Sequence, residues 1–245
     1  MMHEAFEIIG SDRPGRWLVS CDHATNIIPD WVHGGDLGLP AADMGRHIAY
    51  DIGAAEVTRQ LAGLLNSPAI LSRFSRLVVD PNRGEDDPTI MMRLYDGTII
   101  PGNRNADEAE KEQRLQRLYG PYHAAYADLA SKMIDPVICA VHSFTPRLNG
   151  RDPRPWEVGI LYADDTRLAA PVLQACRAQG WCTGDNEPYA GHLPGDAVDR
   201  HALQHGRPNV LIELRQDLIA DAAGQTLWAN RLAPLLSDVL AQSGL

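Results

Sequence analysis

The sequence predicts an α/β fold, with a largely parallel mixed sheet covered by helices on both faces. Two observations support this class: short apolar runs alternate with longer amphipathic segments along the chain, and the runs are continuously apolar. With 245 residues, of which 44% are hydrophobic, the chain can build one sizeable core. We therefore expect a three-layer αβα arrangement in a single domain that spans residues 1–245.

The apolar runs predict the strands. They occupy residues 17–21, 77–79, 136–142, 158–162 and 209–214, and residues 68–71 are a weaker candidate. Because none of these runs alternates strictly between polar and apolar residues, they are typical of strands buried on both faces.

Four amphipathic segments predict helices, at residues 43–65, 107–133, 165–179 and 225–242. The second begins with an acidic first turn, which suits the helix dipole. It also contains Gly120-Pro121, which should kink or split it.

Three long polar loops interrupt this pattern, at residues 80–105, 144–157 and 183–200. Loops of this length in a compact domain usually carry function or are disordered. Two of them begin where a predicted strand ends, which is where open α/β sheets bind their ligands. The sequence thus predicts a ligand site at the carboxyl edge of the sheet.

Charge and missing motifs exclude several classes of protein. The net charge of −10 is the opposite of what a nucleic-acid-binding protein needs. No apolar run is long enough for a membrane helix or a signal peptide, so we expect a cytoplasmic protein with no membrane partner. Dinucleotide-binding, P-loop, nucleophile-elbow and H-E-x-x-H motifs are also missing from the sequence.

Two histidines end predicted strands. His23 follows the first run, and Asn26 can turn back to the same point, while His142 ends the third run. Each histidine alone is more often a core residue with satisfied hydrogen bonds. Two imidazoles at one sheet edge, however, allow a metal site, and two histidines with one oxygen donor match the ligand count of a catalytic metal.

Glu213 lies inside a strongly apolar run, where a carboxylate is costly unless it is paired or functional. It could form an internal salt bridge with Arg215 or another arginine, or it could act as a general base beside a metal-bound water. Asn82 and Arg83 follow another run, and they could either form a turn or bind a substrate carboxylate.

Two further histidines are weaker candidates. His47 and Asp51 are four residues apart on a predicted helix, where they could orient each other and either could reach the site, but a surface pair is the favoured interpretation. His201, at the end of the third loop, could polarise a carbonyl group.

Taken together, these residues give the chain a resemblance to the N-formylglutamate amidohydrolase family. The matching stretches keep their order through most of the chain: CDHATNIIP (21–29), HIAYDIGA (47–54), SRLVVDPNR (75–83), VHSFTP (141–146), VGILY (158–162), DNEPYAG (185–191) and VLIELRQDLI (210–219). The resemblance implies a fold similar to that of the zinc carboxypeptidases. Those enzymes combine an H-x-x-E motif, a later histidine, a late glutamate base and an Asn-Arg carboxylate clamp.

The resemblance also implies roles for particular residues. His23 and His142 match the histidine ligands of a divalent metal ion, zinc in the first instance, Glu213 matches the base, and Asn82 with Arg83 matches the clamp. Asn26 stands where the carboxypeptidases have glutamate, so Asp22 or Asp51 could instead supply the anionic ligand. Arg147 and Arg215 are expected to help hold the substrate carboxylates.

The implied reaction is hydrolysis of the amide bond in a small N-acyl amino acid, with N-formyl-L-glutamate as the first candidate. Formate and glutamate would be released, and the activity would belong to histidine catabolism. Another acyl group, a carboxypeptidase-like activity and a non-catalytic binding protein on the same fold remain alternatives.

Overall fold

A computed structural model describes residues 4–191 and 193–245. Within these residues, seven strands form the main sheet and two form a separate hairpin. The main sheet contains β1 (Phe6–Ile9), β2 (Trp17–Cys21), β3 (Ala69–Ser72), β6 (Val137–Phe144), β7 (Val158–Leu161), β8 (Thr183–Asp185) and β9 (Asn209–Arg215). The hairpin consists of β4 (Leu94–Tyr95) and β5 (Thr98–Ile99).

The strand order of the main sheet is β1-β3-β2-β6-β9-β7-β8. The four central strands β3, β2, β6 and β9 are parallel, whereas β1 and β7 run antiparallel to their central neighbours. Because β2, β6 and β9 point in the same direction, their carboxyl ends meet at one edge of the sheet. His142 of β6 is paired in register with Glu213 of β9 at this edge.

Helices cover both faces of the sheet. They are α1 (Ala41–Met44), α2 (Ala54–Leu64), α3 (Pro101–Arg104), α4 (Glu108–Arg114), α5 (Gly120–Lys132), α6 (Ala169–Ala178), α7 (Ala197–His201) and α8 (Ala222–Gln242). One core cluster joins the sheet to α2, α6 and α8, and a second joins its opposite face to α5 and α7. The predicted three-layer α/β fold with a mostly parallel mixed sheet is therefore confirmed.

The prediction of a strand at residues 77–79 is wrong. The segment is a turn, in which Val78 N–H donates to the backbone oxygen of Ser75 at 2.9 Å. It is nevertheless completely buried, and side chains satisfy its carbonyls: Asn103 donates to Leu77 and Arg114 donates to Val78. A buried apolar run without ladder hydrogen bonds cannot be distinguished from a short strand by its composition. The weaker candidate at residues 68–71 is the actual strand, β3.

The first predicted helix, at residues 43–65, is interrupted between α1 and α2. Gly53 precedes α2 with a left-handed φ of 77°, which favours glycine and starts a new helix at Ala54. The irregular segment between the two helices contains Asp51, whose backbone N–H donates to the oxygen of His23 at 2.9 Å, just after β2.

The helical segment from Glu108 to Lys132 is nearly as long as predicted. It passes from α4 through a π-helical turn, Leu115–Tyr119, into α5, and Gly120 N–H donates to the oxygen of Leu115, five residues earlier. The wider turn lies directly before Pro121, where an ordinary α-helical turn would bring the proline ring against a carbonyl.

Two of the predicted loops contain short regular elements. Residues 80–105 include the β4–β5 hairpin and α3, and residues 183–200 include β8 and the start of α7. Across the described ranges, no helix combines the length and the apolar character needed to cross a membrane.

Candidate active site

Two buried imidazoles face each other at the carboxyl edge of the sheet. His23 follows β2 and His142 lies in β6, and their ring centroids are 5.0 Å apart. The Asp51 carboxylate lies between them: its Oδ2 is 3.3 Å from Nδ1 of His23 and 2.9 Å from Nδ1 of His142. All three side chains are at most 4% exposed. Two nitrogens and one oxygen therefore converge on one point.

The outer nitrogen of each imidazole contacts a second buried carboxylate. Nε2 of His23 is 2.7 Å from Oδ1 of Asp80, and Nε2 of His142 is 3.2 Å from Oδ2 of Asp22. Without a bound ion, burial would lower the pKa of His142, but Asp22 and Asp51 raise it well above its usual range and favour the doubly protonated ring. A metal ion would replace the proton on Nδ1 and leave Nε2 facing the outer carboxylate. These are the features of a metal-binding histidine pair, and the three inner side chains bring their ligand atoms within 4.8 Å of one another.

The central carboxylate is ionised. Burial alone would raise the pKa of Asp51, but the neighbouring His23 and His142 more than offset that effect and hold its pKa well below the usual range. Backbone N–H of Ser143 also donates to Oδ2 of Asp51, at 3.2 Å. The site therefore presents a negatively charged oxygen together with two imidazoles.

Glu213 of β9 stands next to this cluster. It is 7% exposed, and its Oε2 has no hydrogen-bond partner within the described residues. Burial raises the pKa of Glu213 to about 7, with His142 opposing the shift and Asp51 adding to it. A carboxyl group with such a pKa can accept and release a proton near neutral pH.

The cluster opens into a cavity of about 440 Å³. Asn82 and Arg83 line it together with Glu213 and the imidazoles. The Arg83 guanidinium donates to the oxygen of Asn82 at 2.7 Å and to Oγ1 of Thr89 at 3.2 Å. Oδ1 of Asn82 accepts from the N–H of Ala197, which fixes the loop after residue 79 against α7. The cavity thus combines a candidate metal site, a buried carboxylate and a guanidinium.

The profile of the N-formylglutamate amidohydrolase family matches residues 15–220, which include every residue of this cluster. The chain belongs to the N-formylglutamate amidohydrolase family. As a family member it is an amidohydrolase.

Solved structures agree with this assignment. A gene product of Agrobacterium tumefaciens is 34% identical with a TM-score of 0.92, and the match covers 98% of this chain and 96% of that one. The N-formylglutamate amidohydrolase of Ralstonia eutropha JMP134 is 20% identical with a TM-score of 0.65, over 98% of both chains. A bacteriophage poly-gamma-glutamate hydrolase is 12% identical with a TM-score of 0.50, over 99% of this chain and 91% of that one. The last two show the shared fold, which is zinc-carboxypeptidase-like. A search of curated proteins finds no match.

Three residues that the sequence suggested for the site of this amidohydrolase lie outside the cavity lining. The amide nitrogen of Asn26 donates to the oxygen of Met44 at 2.8 Å, and Asp51 occupies the position between the imidazoles. The Arg147 guanidinium donates to the oxygen of Arg151. The Arg215 side chain is bonded to Asp217 and to two backbone oxygens, so it does not form the internal salt bridge with Glu213 that was one alternative.

His201, the last residue of α7, also lies outside the cavity lining. Its Nε2 is 2.8 Å from Nδ1 of His123, and its ring stacks on Tyr126. Burial and the neighbouring His123 lower the pKa of His201 to about 3, so the ring is neutral. This geometry is typical of a structural histidine pair rather than of a group that polarises a substrate.

The prediction of a surface pair for His47 and Asp51 is wrong. Asp51 is buried between the imidazoles, and the side chain of His47 is 10% exposed and lines the cavity. The two residues do not share a helix, because the chain between α1 and α2 is irregular.

Two charged residues of the site were not expected from the sequence. Arg76 lines the cavity and donates to Oδ2 of Asp80 at 2.8 Å, and it lies 3.5 Å from Oδ1 of Asp51. Both Arg76 and Asp80 are at least nine-tenths buried. Their i, i+4 spacing, with Asp80 directly before Pro81-Asn82-Arg83, is the signal that could have indicated them.

Proposed function

We propose that this amidohydrolase uses a divalent metal ion, zinc in the first instance, to hydrolyse the amide bond of N-formyl-L-glutamate or a related N-acyl amino acid. The products of the first reaction would be formate and glutamate. The observation that carries the proposal is the convergence of two Nδ1 atoms and the Asp51 carboxylate. Beside them lies the buried Glu213, whose Oε2 has no hydrogen-bond partner among the described residues.

The donor set fits such an ion. His23, His142 and Asp51 would hold it, because they offer two imidazole nitrogens and one anionic oxygen, with any proton on Nδ1 released when the ion binds. Asp80 and Asp22 would orient the two rings. When bound, the ion would supply a Lewis acid that polarises the amide carbonyl and makes water more acidic.

Glu213 is the proton carrier in this proposal. Its ionised carboxylate would accept a proton from the water that attacks the acyl carbon. The same proton would then be delivered to the amine nitrogen as the C–N bond breaks, so Glu213 ends the cycle ionised again. A pKa of about 7 suits both transfers, since neither the ionised nor the protonated form is strongly disfavoured.

Arg83 and Asn82 are the proposed carboxylate clamp. A guanidinium and an amide can bind one carboxylate through several donors at once. The protein carries a net charge of −10, so an anionic substrate has to be attracted by local positive charge. Substrates with another acyl group would bind the same clamp. Histidine catabolism and a cytoplasmic location stay predictions.

The proposal is tested by measuring formate and free amino acid released from N-formyl amino acids, with purified protein that has been stripped of metal and then reloaded. The expected result is stoichiometric release that depends on the metal. Undiminished release by the stripped protein would contradict metal dependence. If neither preparation releases products from any N-acyl amino acid, the proposed substrate class is wrong.

A further inference from the structure

We propose that Tyr119 and Arg200 are positioning residues for the carboxylate clamp. They hold the backbone of the loop that carries Asn82 and Arg83, and so fix the point from which the Arg83 side chain reaches a substrate. This inference rests on the proposed function, because it takes Arg83 to be the group that binds the substrate carboxylate. Tyr119 and Arg200 lie outside the cavity lining, so both act on the substrate through the loop.

The Tyr119 hydroxyl is bonded to the backbone of the clamp. It donates to the carbonyl oxygen of Arg83 at 2.8 Å, and the tyrosine is buried, with 2% exposure. A loop carbonyl that bonds to a buried side chain is held in place, whereas one that bonds to water is free to move. Because the Arg83 carbonyl is attached directly to its Cα, the bond fixes the base of the Arg83 side chain.

Tyr119 is placed by the π-helical turn between α4 and α5. It is the last residue of that turn, Leu115–Tyr119, and its ring packs edge-on against His123 with the centroids 4.2 Å apart. Wide turns of this kind occur as single turns within helices, frequently at functional sites. Besides accommodating Pro121, this turn ends on the residue that supports the clamp.

Arg200 of α7 holds the same loop from a second element. Its Nη2 donates to the Tyr119 hydroxyl at 2.9 Å and to the Glu85 carboxylate at 3.3 Å. Its guanidinium carbon also lies 5.3 Å from the centre of the Tyr119 ring. The Tyr119 oxygen therefore accepts from a cation while it donates to Arg83, and hydrogen bonds in such a chain polarise and strengthen one another.

The segment that leads into α7 packs directly on the loop. The N–H of Ala197 donates to Oδ1 of Asn82 at 3.1 Å. A Cβ added to Gly84 would lie 2.9 Å from the oxygen of Pro194, and one added to Gly195 would lie 2.8 Å from the Cα of Gly84. No side chain fits between the two backbones, so the loop is supported by this packing on one side and by Tyr119 on another.

The support matters because the Arg83 side chain has few other anchors. Within residues 4–191 and 193–245, the hydrogen bonds of its guanidinium go to the Thr89 hydroxyl and the Asn82 oxygen, both on the same segment of chain. Its place relative to the metal cluster thus depends on the loop, and a displacement of about 1 Å can be costly for a group that binds substrate. Loss of the support should weaken substrate binding and leave the groups that perform the chemistry in place.

Kinetics of the zinc-loaded enzyme test this inference, with N-formyl-L-glutamate or the related N-acyl amino acid that it hydrolyses fastest. Tyr119→Phe removes the hydroxyl alone, and it should raise KM about fivefold while kcat changes by less than about twofold. Tyr126→Phe is the matched control, since it removes another buried hydroxyl from the same helical segment. Tyr126 packs against Tyr122 and His201, and this variant should keep both constants.

A double-mutant cycle tests whether the effect passes through Arg83. In an Arg83→Ala background the guanidinium is gone, so Tyr119→Phe should change KM by less than about twofold. Arg200→Gln removes the cation at the other end of the chain of hydrogen bonds. It should raise KM about threefold in the otherwise unaltered enzyme, and it should change KM by less than about twofold when added to Tyr119→Phe.

Hydrogen–deuterium exchange tests the support without any substrate. In Tyr119→Phe, the backbone amides of residues 82–87 should exchange about fivefold faster than in the unaltered protein. The Tyr126→Phe control should show the exchange of the unaltered protein in this segment.

An unchanged KM, or unchanged exchange of the loop, in Tyr119→Phe would overturn the inference and leave the proposed function intact. So would a rise in KM of the same size in the Arg83→Ala background, because Tyr119 would then act by another route. Faster exchange in a zinc-loaded protein that hydrolyses no N-acyl amino acid would instead refute the proposed function, and with it the clamp, while confirming that Tyr119 holds the loop.

Discussion

Replacing Glu213 with glutamine removes the proposed proton carrier with the smallest change of shape. The carboxylate is buried, and its Oε2 has no partner that the amide would disturb in the described structure. General acid–base catalysis contributes about 10²–10⁴-fold to a rate. At about 1.4 kcal/mol per tenfold change, the activation barrier should rise by about 3–5 kcal/mol.

The pH profile gives a second signature of the same residue. A base must be ionised to act, so kcat/KM should rise with pH until Glu213 is deprotonated. The carboxyl has a pKa of about 7 without a bound cation, and a nearby metal ion stabilises its ionised form. The inflection is therefore expected at or below pH 7, and it should disappear from the residual rate of Glu213→Gln.

The assay is formate release measured from pH 5 to 9, roughly two units to either side of that pKa, together with the metal content of each preparation. Glu112→Gln is the matched control, because it changes an exposed glutamate on α4 that bonds to Gln116. It should keep the rate and the profile of the unaltered enzyme. If Glu213→Gln retains full turnover with normal metal content, Glu213 is not the base.

Four further changes have expected outcomes. Arg83→Lys should raise KM about tenfold with little change in kcat, because a point charge replaces a bidentate donor worth about 1.5 kcal/mol more; a fall confined to kcat would contradict this. Asp51→Ala should abolish stoichiometric zinc binding and Asn26→Ala should not, as measured by elemental analysis; the reverse pattern would identify Asn26 as the ligand. Tyr122→Phe removes the 2.5 Å hydrogen bond to Asp22, the carboxylate beside Nε2 of His142. Zinc affinity should fall about tenfold in a chelator competition, and unchanged affinity would show that this bond does not position the ring. Burial lowers the pKa of His123 to about 4, so the unfolded chain binds a proton more readily than the folded chain below pH 6.5. About 3 kcal/mol of unfolding free energy should therefore be lost between pH 7 and pH 4. Denaturant unfolding should show a smaller loss for His123→Gln.

Much of the fold could be predicted because its strands are short continuous apolar runs. Four of the five main predicted strands coincide closely with β2, β6, β7 and β9. The fifth, at residues 77–79, failed because side chains rather than a neighbouring strand satisfy its buried carbonyls. Hydrogen bonding between distant residues is invisible to composition and periodicity.

The candidate site was also predicted only in part. His23, His142, Glu213, Asn82 and Arg83 lie in or just after apolar runs, and the structure brings all five to one cavity. Their predicted roles remain to be tested.

The oxygen donor between the two imidazoles could not be assigned from the sequence alone. Asp51 was one of three alternatives, because it lies 28 residues from His23 and 91 residues from His142. Only the break between α1 and α2, which Gly53 permits, turns its carboxylate toward the imidazoles. Asn26 is nearer to His23 in sequence, yet its amide is bonded to the backbone of Met44. The match to the H-x-x-E motif favoured Asn26, whereas the structure places Asp51 between the two imidazoles.

The most direct test of metal-dependent amide hydrolysis at the His23–Asp51–His142 cluster is a titration of metal-free protein with zinc while formate release from N-formyl-L-leucine and N-formyl-L-glutamate is recorded. We predict no turnover without zinc, a linear rise, and a plateau at one equivalent per chain, with no response in a His142→Ala variant. Full turnover by the metal-free protein, or an unchanged titration with His142→Ala, would contradict the account.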